Sequence, residues 1–366
     1  MANVIHIRST TGFYGAEKVL LNLLPEINKQ ANQFSVSLFV IEGEGEDSKR
    51  LGRSLEHSSV KVFSARSQKK IDLLLVKKLR KIIKSDNCKI VHTHDYKSLV
   101  HAQIAVIFSE VRIVHHMHGG LNTTGAEKLY SKVENFFINF VSSVFVVSRG
   151  VKCNVWIKPP LGISFIPNGV YLPDNEIKAA KKAQKKMLIV ARISAEKNHL
   201  LAVDIINELK HREIDVLLDV VGDGPLLIEV KERVTLLGLE ESVKFHGFVT
   251  NPETFYKKAD ILIICSKTEG LPMNLLEALS YGVPVVSTAV GEIPDILNNG
   301  NCGLIASDNA KDFADKIETL IADDRRFEMM RINALNTIEK KFSVKSQASL
   351  VIEKYRGILT HYHLAK

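Results

Sequence analysis

Short apolar runs alternate along the chain with longer segments in which apolar positions recur at helical spacing. That alternation is the pattern of parallel sheets wrapped by helices. Strands are expected near residues 4–8, 34–41, 60–63, 89–94, 112–116 and 144–147, with amphipathic helices such as 16–29 and 69–84 between them. After the turn signal Pro167-Asn168-Gly169 the chain passes through Pro173-Asp174-Asn175 into a Lys-rich stretch ending at Lys186. The alternation then restarts with strands near 187–191, 217–221, 243–245, 261–264 and 283–287, and helices from about Asn198 and after Pro225. The expected organisation is α/β, with two doubly wound domains at 1–172 and 187–342, a linker at 173–186 and a terminal helical segment at 343–366. No fixed-period repeat is visible, which excludes a solenoid.

Composition changes this picture little: 45% apolar and 25% charged residues are ordinary for a globular protein. The segment 136–147 is apolar but carries Asn139, Ser142 and Ser143 and falls short of the ~18 residues that a membrane span needs. No secretory signal is visible ahead of Val4-Ile5-His6-Ile7, and Cys88, Cys153, Cys265 and Cys302 form no CxxC pair. Buried thiols in a reducing, cytoplasmic setting are the expectation. Charge is more informative. Residues 1–186 hold 28 basic against 15 acidic side chains, and residues 187–366 hold 21 against 26. A basic first half suits an anionic partner.

In open α/β sheets ligands bind at the carboxyl ends of strands, where loops lead into helices. The richest such loop is Ser266-Lys267-Thr268-Glu269-Gly270-Leu271-Pro272-Met273-Asn274-Leu275-Leu276-Glu277. A helix starting near Pro272 and stopping at Gly282 would turn the free N–H groups of its first turn toward a diphosphate. Gly270 allows close backbone approach. Glu277 lies about one turn, roughly 6 Å, beyond Met273. Carboxylates repel phosphates, so the partners of Glu269 and Glu277 would be neutral hydroxyls, a sugar on one side and a ribose on the other. The bland alternative is two solvated carboxylates.

These residues resemble the GT-B-fold retaining glycosyltransferases of family 4, in which two Glu separated by seven residues occupy this loop and helix. Gly282-Val283-Pro284-Val285-Val286 and Gly291-Glu292-Ile293-Pro294-Asp295 resemble further segments of that family, departing from it at Glu292 (usually Gly) and Asp295 (usually Glu). The segment from Val190-Ala191-Arg192 to Glu196-Lys197-Asn198 is similar to the one that holds the donor diphosphate, which gives that role to Arg192 and Lys197. Gly222-Asp223-Gly224-Pro225 resembles a turn at the next strand end, and Ile166-Pro167-Asn168-Gly169-Val170 the close of the first domain. The last helical stretch, about 343–359, resembles the helix that crosses back to the N-terminal domain. Gly12-Phe13-Tyr14-Gly15-Ala16-Glu17 is similar to the Gly-Gly-x-Glu loop, with Tyr14 in place of the first Gly, so that Gly15 alone offers close approach. It lacks the ending of a P-loop, which disfavours an ATPase.

His115-His116-Met117-His118-Gly119 ends another strand and puts His116 and His118 on one face. The resemblance turns His118 toward the transferred sugar; otherwise it is a hydrogen-bonded loop histidine. A metal site combining these with His92 and His94 has no carboxylate or Cys spacing behind it, and no metal is expected. The 69–84 segment pairs Ile71, Leu74, Leu75, Leu79, Ile82 and Ile83 with Lys70, Lys77, Lys78, Arg80, Lys81 and Lys84. It reads as a surface helix packed on its own sheet, or as one that contacts anionic lipid.

The resemblance implies two Rossmann-like domains facing a central cleft and transfer of a sugar, with retention, from a nucleotide-sugar to a glycan or lipid-linked acceptor in surface polysaccharide synthesis. Glu269, Arg192, Lys197 and His118 would serve the reaction. Gly15, Arg192, Lys197, Glu269, Gly270, Leu271, Pro272 and Glu277 would bind the donor. No resident cofactor is expected, because the nucleotide-sugar is a substrate. A nucleotide-sugar epimerase and a non-catalytic sugar-nucleotide-binding partner are the other readings. Nucleic acid is not expected as a partner, since the basic residues are not interleaved with aromatics.

Overall fold

The computed structural model describes residues 2–118, 126–152, 159–173 and 184–364. The chain forms two compact units, the first made of Met1–Gly169 with Val344–Lys366 and the second of Val170–Ser343.

The first unit is built on β1 (Ala2–Thr10), β2 (Phe34–Glu42), β3 (Lys61–Arg66), β4 (Cys88–Thr93), β5 (Arg112–Met117), β6 (Ser143–Val146) and β7 (Ile163–Phe165), all parallel, in the order β3-β2-β1-β4-β5-β6-β7. Because strand side chains alternate between faces, Ile5 and Ile7 enter one core while Val4 enters another. The first core packs under Leu75, Leu79 and Ile83 of one helix and Leu99 and Ala102 of the next. The second lies under Leu20, Leu24 and Ile27 of the helix Gly15–Gln30 and Val351, Ile352 and Tyr355 of the helix Val344–Leu364. The last helix therefore covers one face of a sheet whose strands all come from the first 165 residues.

The second unit carries β8 (Lys185–Val190), β9 (Val216–Val221), β10 (Val243–Phe245), β11 (Ile261–Ile264), β12 (Val285–Thr288) and β13 (Gly303–Ala306), again all parallel, in the order β10-β9-β8-β11-β12-β13. This is the doubly wound Rossmann order. Its central strand β11, Ile261–Ile264, is buried on both faces and reads as a continuous apolar run, as an interior parallel strand does.

Several expectations need correction. The strand β8 starts at Lys185, inside the stretch read as linker: Lys185 pairs in register with Val216, and its ammonium lies 4.9 Å from the Phe327 ring centre, so a lysine here covers apolar surface. The helix expected over 69–84 begins at Leu73, because the Asp72 carboxylate caps it by accepting from the N–H groups of Leu74 (3.0 Å) and Leu75 (3.3 Å). Lys69, Lys70 and Ile71 precede it. Leu74 is 77% exposed, and the buried stripe is Leu75, Val76, Leu79, Ile82 and Ile83. The edge strands β7 and β13 carry no long apolar run and were not anticipated. Cys88, Cys265 and Cys302 are buried free thiols, while Cys153 and Gly119 lie outside the described residues. Among the described residues no helix is long and apolar enough to cross a membrane.

Candidate active site

In the second unit the strand order reverses between β8 and β11. The loops that follow these two strands carry the polar groups. Lys197, at the end of the β8 loop, places Nζ 2.5 Å from Oε1 of Glu269 in the β11 loop. Ser266 Oγ donates to the same oxygen at 2.7 Å, and the two loops are tied by Lys267 N–H to the Glu196 carbonyl, 2.8 Å. Lys197 and Glu269, expected on the diphosphate and the sugar respectively, are thus brought together as an ion pair. With Oε1 already engaged twice, Glu269 is oriented as an acceptor. Arg192 is exposed on the β8 loop.

Glycines fix this arrangement where a side chain could not fit. Gly222, at φ 145°, backs onto the β8 loop so closely that a Cβ would lie 1.9 Å from the Ala191 carbonyl oxygen. Gly291, at φ 57°, backs onto the β11 loop, and its Cβ would lie 2.4 Å from the Gly270 oxygen and 2.5 Å from that of Glu269. The next residue donates its N–H to Gly270 O at 3.0 Å. That residue, Glu292, has φ −85° and ψ −2°, open to any L-residue, so its departure from glycine costs the backbone nothing.

The helix Met273–Ser280 starts near Pro272 as expected, with Pro272 as N-cap at φ −72° and ψ 135° and no side-chain cap bond. Leu271 and Pro272 are buried beside it. Asn274 ties the first turn to β8: its Nδ2 donates to the Val190 carbonyl (2.9 Å) and its Oδ1 accepts from Leu275 N–H (2.8 Å). The helix ends on Gly282 at φ 65°, as a left-handed C-terminal glycine should. Glu277 is buried, and its Oε2 accepts from the Tyr256 hydroxyl at 2.9 Å. Burial, and then the Glu277 charge, push the Tyr256 phenol well above its usual value, so it stays a donor. Tyr256 stacks on Tyr281 with ring centres 5.8 Å apart. Sequence reasoning assigned no role to Ser266, though it opens the quoted loop three residues before Glu269, and it missed Tyr256, which only the fold sets against Glu277.

The first unit reverses its strand order between β1 and β4. Gly15 opens the helix after β1, where Glu17 accepts from Tyr14 N–H (2.9 Å) and from Arg8 Nε (2.7 Å), and Arg8 Nη1 donates to the His94 carbonyl (2.8 Å). Behind this lies a ladder of histidines on one sheet face. His6 is in register with His92, and His94, His116 and His118 follow at alternate positions. His116 and His118 stack with ring centres 4.4 Å apart, as do His92 and His94 at 4.5 Å. A hydrogen-bonded chain runs from His118 Nε2 to His94 Nδ1 (2.9 Å), from His94 Nε2 to His6 Nδ1 (2.9 Å), and from His6 Nε2 to the Tyr355 hydroxyl (2.9 Å), which also meets His92 Nδ1 at 2.5 Å. Burial first, and then the neighbouring imidazoles, lower His6 and His116 to about 3 and His92, His94 and His118 well below their usual value. The ladder is neutral at pH 7.

Two doubly wound parallel units in one chain are the architecture of the GT-B fold. The family described as glycosyl transferases group 1 matches residues 173–337, and Glycosyltransferase Family 4 matches residues 13–172. The chain belongs to this GT-B glycosyltransferase family. It is 25% identical over 304 residues to N-acetyl-alpha-D-glucosaminyl L-malate synthase of Bacillus anthracis, covering 78% of each chain. It is 24% identical over 300 residues to the UDP-Gal:alpha-D-GlcNAc-diphosphoundecaprenol alpha-1,3-galactosyltransferase of Escherichia coli, covering 76% of this chain and 77% of the other. Among solved structures, Anabaena Alr3699/HepE in complex with UDP and glucose shares the fold with a TM-score of 0.82 at 19% identity, over 98% of this chain and all of that one.

Proposed function

We propose that the chain is a retaining glycosyltransferase that takes a sugar from a nucleoside-diphosphate sugar and passes it to a glycan or lipid-linked acceptor in polysaccharide synthesis at the cytoplasmic side of the membrane. The observation that carries this reading is the Lys197–Glu269 pair at the switch point, beside a helix start whose Glu277 is held by Tyr256. A UDP-bound neighbour of the same fold and the glycan-building relatives above support it.

Arg192 and Lys197 are assigned to the diphosphate, together with the backbone from Gly270 through Leu271 and Pro272 to the helix start. As the bond to the sugar breaks, negative charge collects on the leaving phosphate, and two cations and a helix N-terminus stabilise it. Glu277 is assigned to the ribose, and Glu269 to the sugar hydroxyls. A phosphate oxygen drawing Lys197 away would free Glu269 Oε1 for that contact. His118 and Gly15 are assigned to the sugar and acceptor side. No side chain is needed as nucleophile, since the departing phosphate can take the acceptor proton on the same face of the sugar. The nucleotide-sugar is consumed as a substrate, and no resident cofactor is invoked.

A thermal-shift screen against UDP-, GDP-, ADP- and CDP-sugars tests the reading, because a ligand at 100 times its dissociation constant adds ~2.7 kcal/mol to stability. One nucleotide class should stabilise the chain, and Arg192→Ala or Lys197→Ala should weaken the diphosphate while sparing the nucleoside. Equal loss of both would remove the diphosphate assignment, and turnover without acceptor would point to epimerisation.

A further inference from the structure

Burying an imidazole without partners is costly: a buried donor or acceptor left unsatisfied loses about 1–3 kcal/mol. Yet both ring nitrogens of His116, wholly buried, have no hydrogen-bond partner among the described residues, and neither does Nδ1 of His118. They sit beside His94. One nitrogen from each of His94, His116 and His118 lies within 4.8 Å of the other two. We propose that these three histidines form a binding site for a borderline transition-metal ion of the zinc type.

The chemistry of the donors selects the ion. Three neutral imidazoles and no carboxylate suit Zn²⁺, Cu²⁺ or Ni²⁺ and do not suit Mg²⁺ or Ca²⁺, which take oxygen. Two nitrogens bound to one tetrahedral zinc are roughly 3.3 Å apart, from metal–nitrogen distances of ~2.0–2.1 Å. His94 Nδ1 and His118 Nε2 already stand 2.9 Å apart, so a small opening of that pair admits the ion. Support from behind is also in place. A metal-bound histidine is oriented by a partner on its other nitrogen, and His94 Nε2 meets His6 Nδ1, which is backed in turn by Tyr355. The proton shared between His94 Nδ1 and His118 Nε2 would move to the other nitrogen of its ring, leaving both of these lone pairs for the cation.

The neighbouring trio His6, His92 and His94 also brings three nitrogens within 4.8 Å. It is the poorer site, because both nitrogens of His6 and Nδ1 of His92 are committed to the chain through Tyr355. His118, only partly buried, gives the outer trio its access, and three protein ligands leave a fourth position open.

The test is titration of the full chain, stripped with a chelator, with Zn²⁺ alone, followed by Co²⁺ as a spectroscopic substitute. One equivalent of Zn²⁺ should bind, Co²⁺ should develop the visible absorption of a four-coordinate nitrogen site, and Mg²⁺ should not compete. His116→Gln and His118→Gln should each weaken Zn²⁺ at least tenfold, whereas His57→Gln with His211→Gln, both exposed, should leave it unchanged. If His116→Gln fails to fold, His118→Gln and the Co²⁺ spectrum of the parent decide. Zinc affinity unchanged in His118→Gln, or no Co²⁺ absorption in the parent, overturns the site, whatever the outcome for transferase activity.

Discussion

At the scale of single residues, the two carboxylates that the sequence marks are held in different ways, and their contributions to binding should separate. Glu277 takes its orientation from a buried phenol, and Glu269 from Lys197 and Ser266. Glu277→Ala should weaken both the donor and its free nucleoside diphosphate by roughly 10–100-fold, the worth of about 1.5–3 kcal/mol for a hydrogen bond to a charged group. Tyr256→Phe should weaken them in the same direction but less, since Glu277 remains. Glu269→Ala should spare the nucleoside diphosphate and lower turnover, because hydroxyl contacts that strengthen as the sugar becomes cationic act on the transition state. Calorimetry with the diphosphate and initial rates with the matched donor separate the two; identical profiles for the two Glu variants would contradict the assignment.

At the scale of elements, the histidine ladder joins β1, β4 and β5 to the last helix, and it makes the first unit sensitive to acid. His6, His92, His94, His116 and His118 each have a folded pKa below the unfolded value near 6.5, about 3 for His6 and His116. The unfolded chain therefore binds more protons below pH 6.5, and stability, complete above 6.5, is lost as the pH falls toward 3. The slope is about 1.4 kcal/mol per pH unit for each histidine that is neutral when folded and charged when unfolded. Urea midpoints measured with a chelator present should drop between pH 6.5 and 5.2, above the range in which most carboxylates titrate. His116→Leu should flatten that dependence, and an unchanged pH profile would take the ladder out of the explanation.

Across the whole molecule, net positive charge gathers in the first half of the sequence, where apolar side chains are also exposed. The helix Leu73–Ser85 presents Leu73 (72% exposed) and Leu74 beside Lys77, Lys78, Lys81 and Lys84. Phe108 is fully exposed at φ 61°, a backbone conformation uncommon for a bulky residue, and Phe136 and Phe140 are exposed as well. Apolar groups for the interface and cations for the headgroups are what a peripheral contact with an anionic membrane requires. Binding to anionic vesicles should weaken with salt, and removing a basic residue near the surface should cost ~1 kcal/mol. Charge reversal at Lys77, Lys78 and Lys81 should reduce co-sedimentation, and Leu73→Ser with Leu74→Ser should reduce it in high salt; no change in either places the contact elsewhere.

The sequence by itself determined the two wound units, most of their strands and the loops that carry the candidate chemistry. These follow from hydrophobic period and from glycines at turns and close backbone approaches, and both are local properties written along the chain. Glu269 and Glu277 were legible because they stand beside a strand end and a helix start, and Arg192 and Lys197 through the family resemblance of their segment. The tertiary structure alone decided which of them meet. Lys197 and Glu269 are 72 residues apart in the chain, and Tyr355 reaches His6 across 349. Such pairings depend on strand order and register, which no local pattern encodes. The start of the basic helix at Leu73 was set by one carboxylate, Asp72, rather than by apolar periodicity. His92, His94, His116 and His118 could be grouped from the sequence, but their alignment, with His6 beside His92, became visible only when β1, β4 and β5 lay side by side.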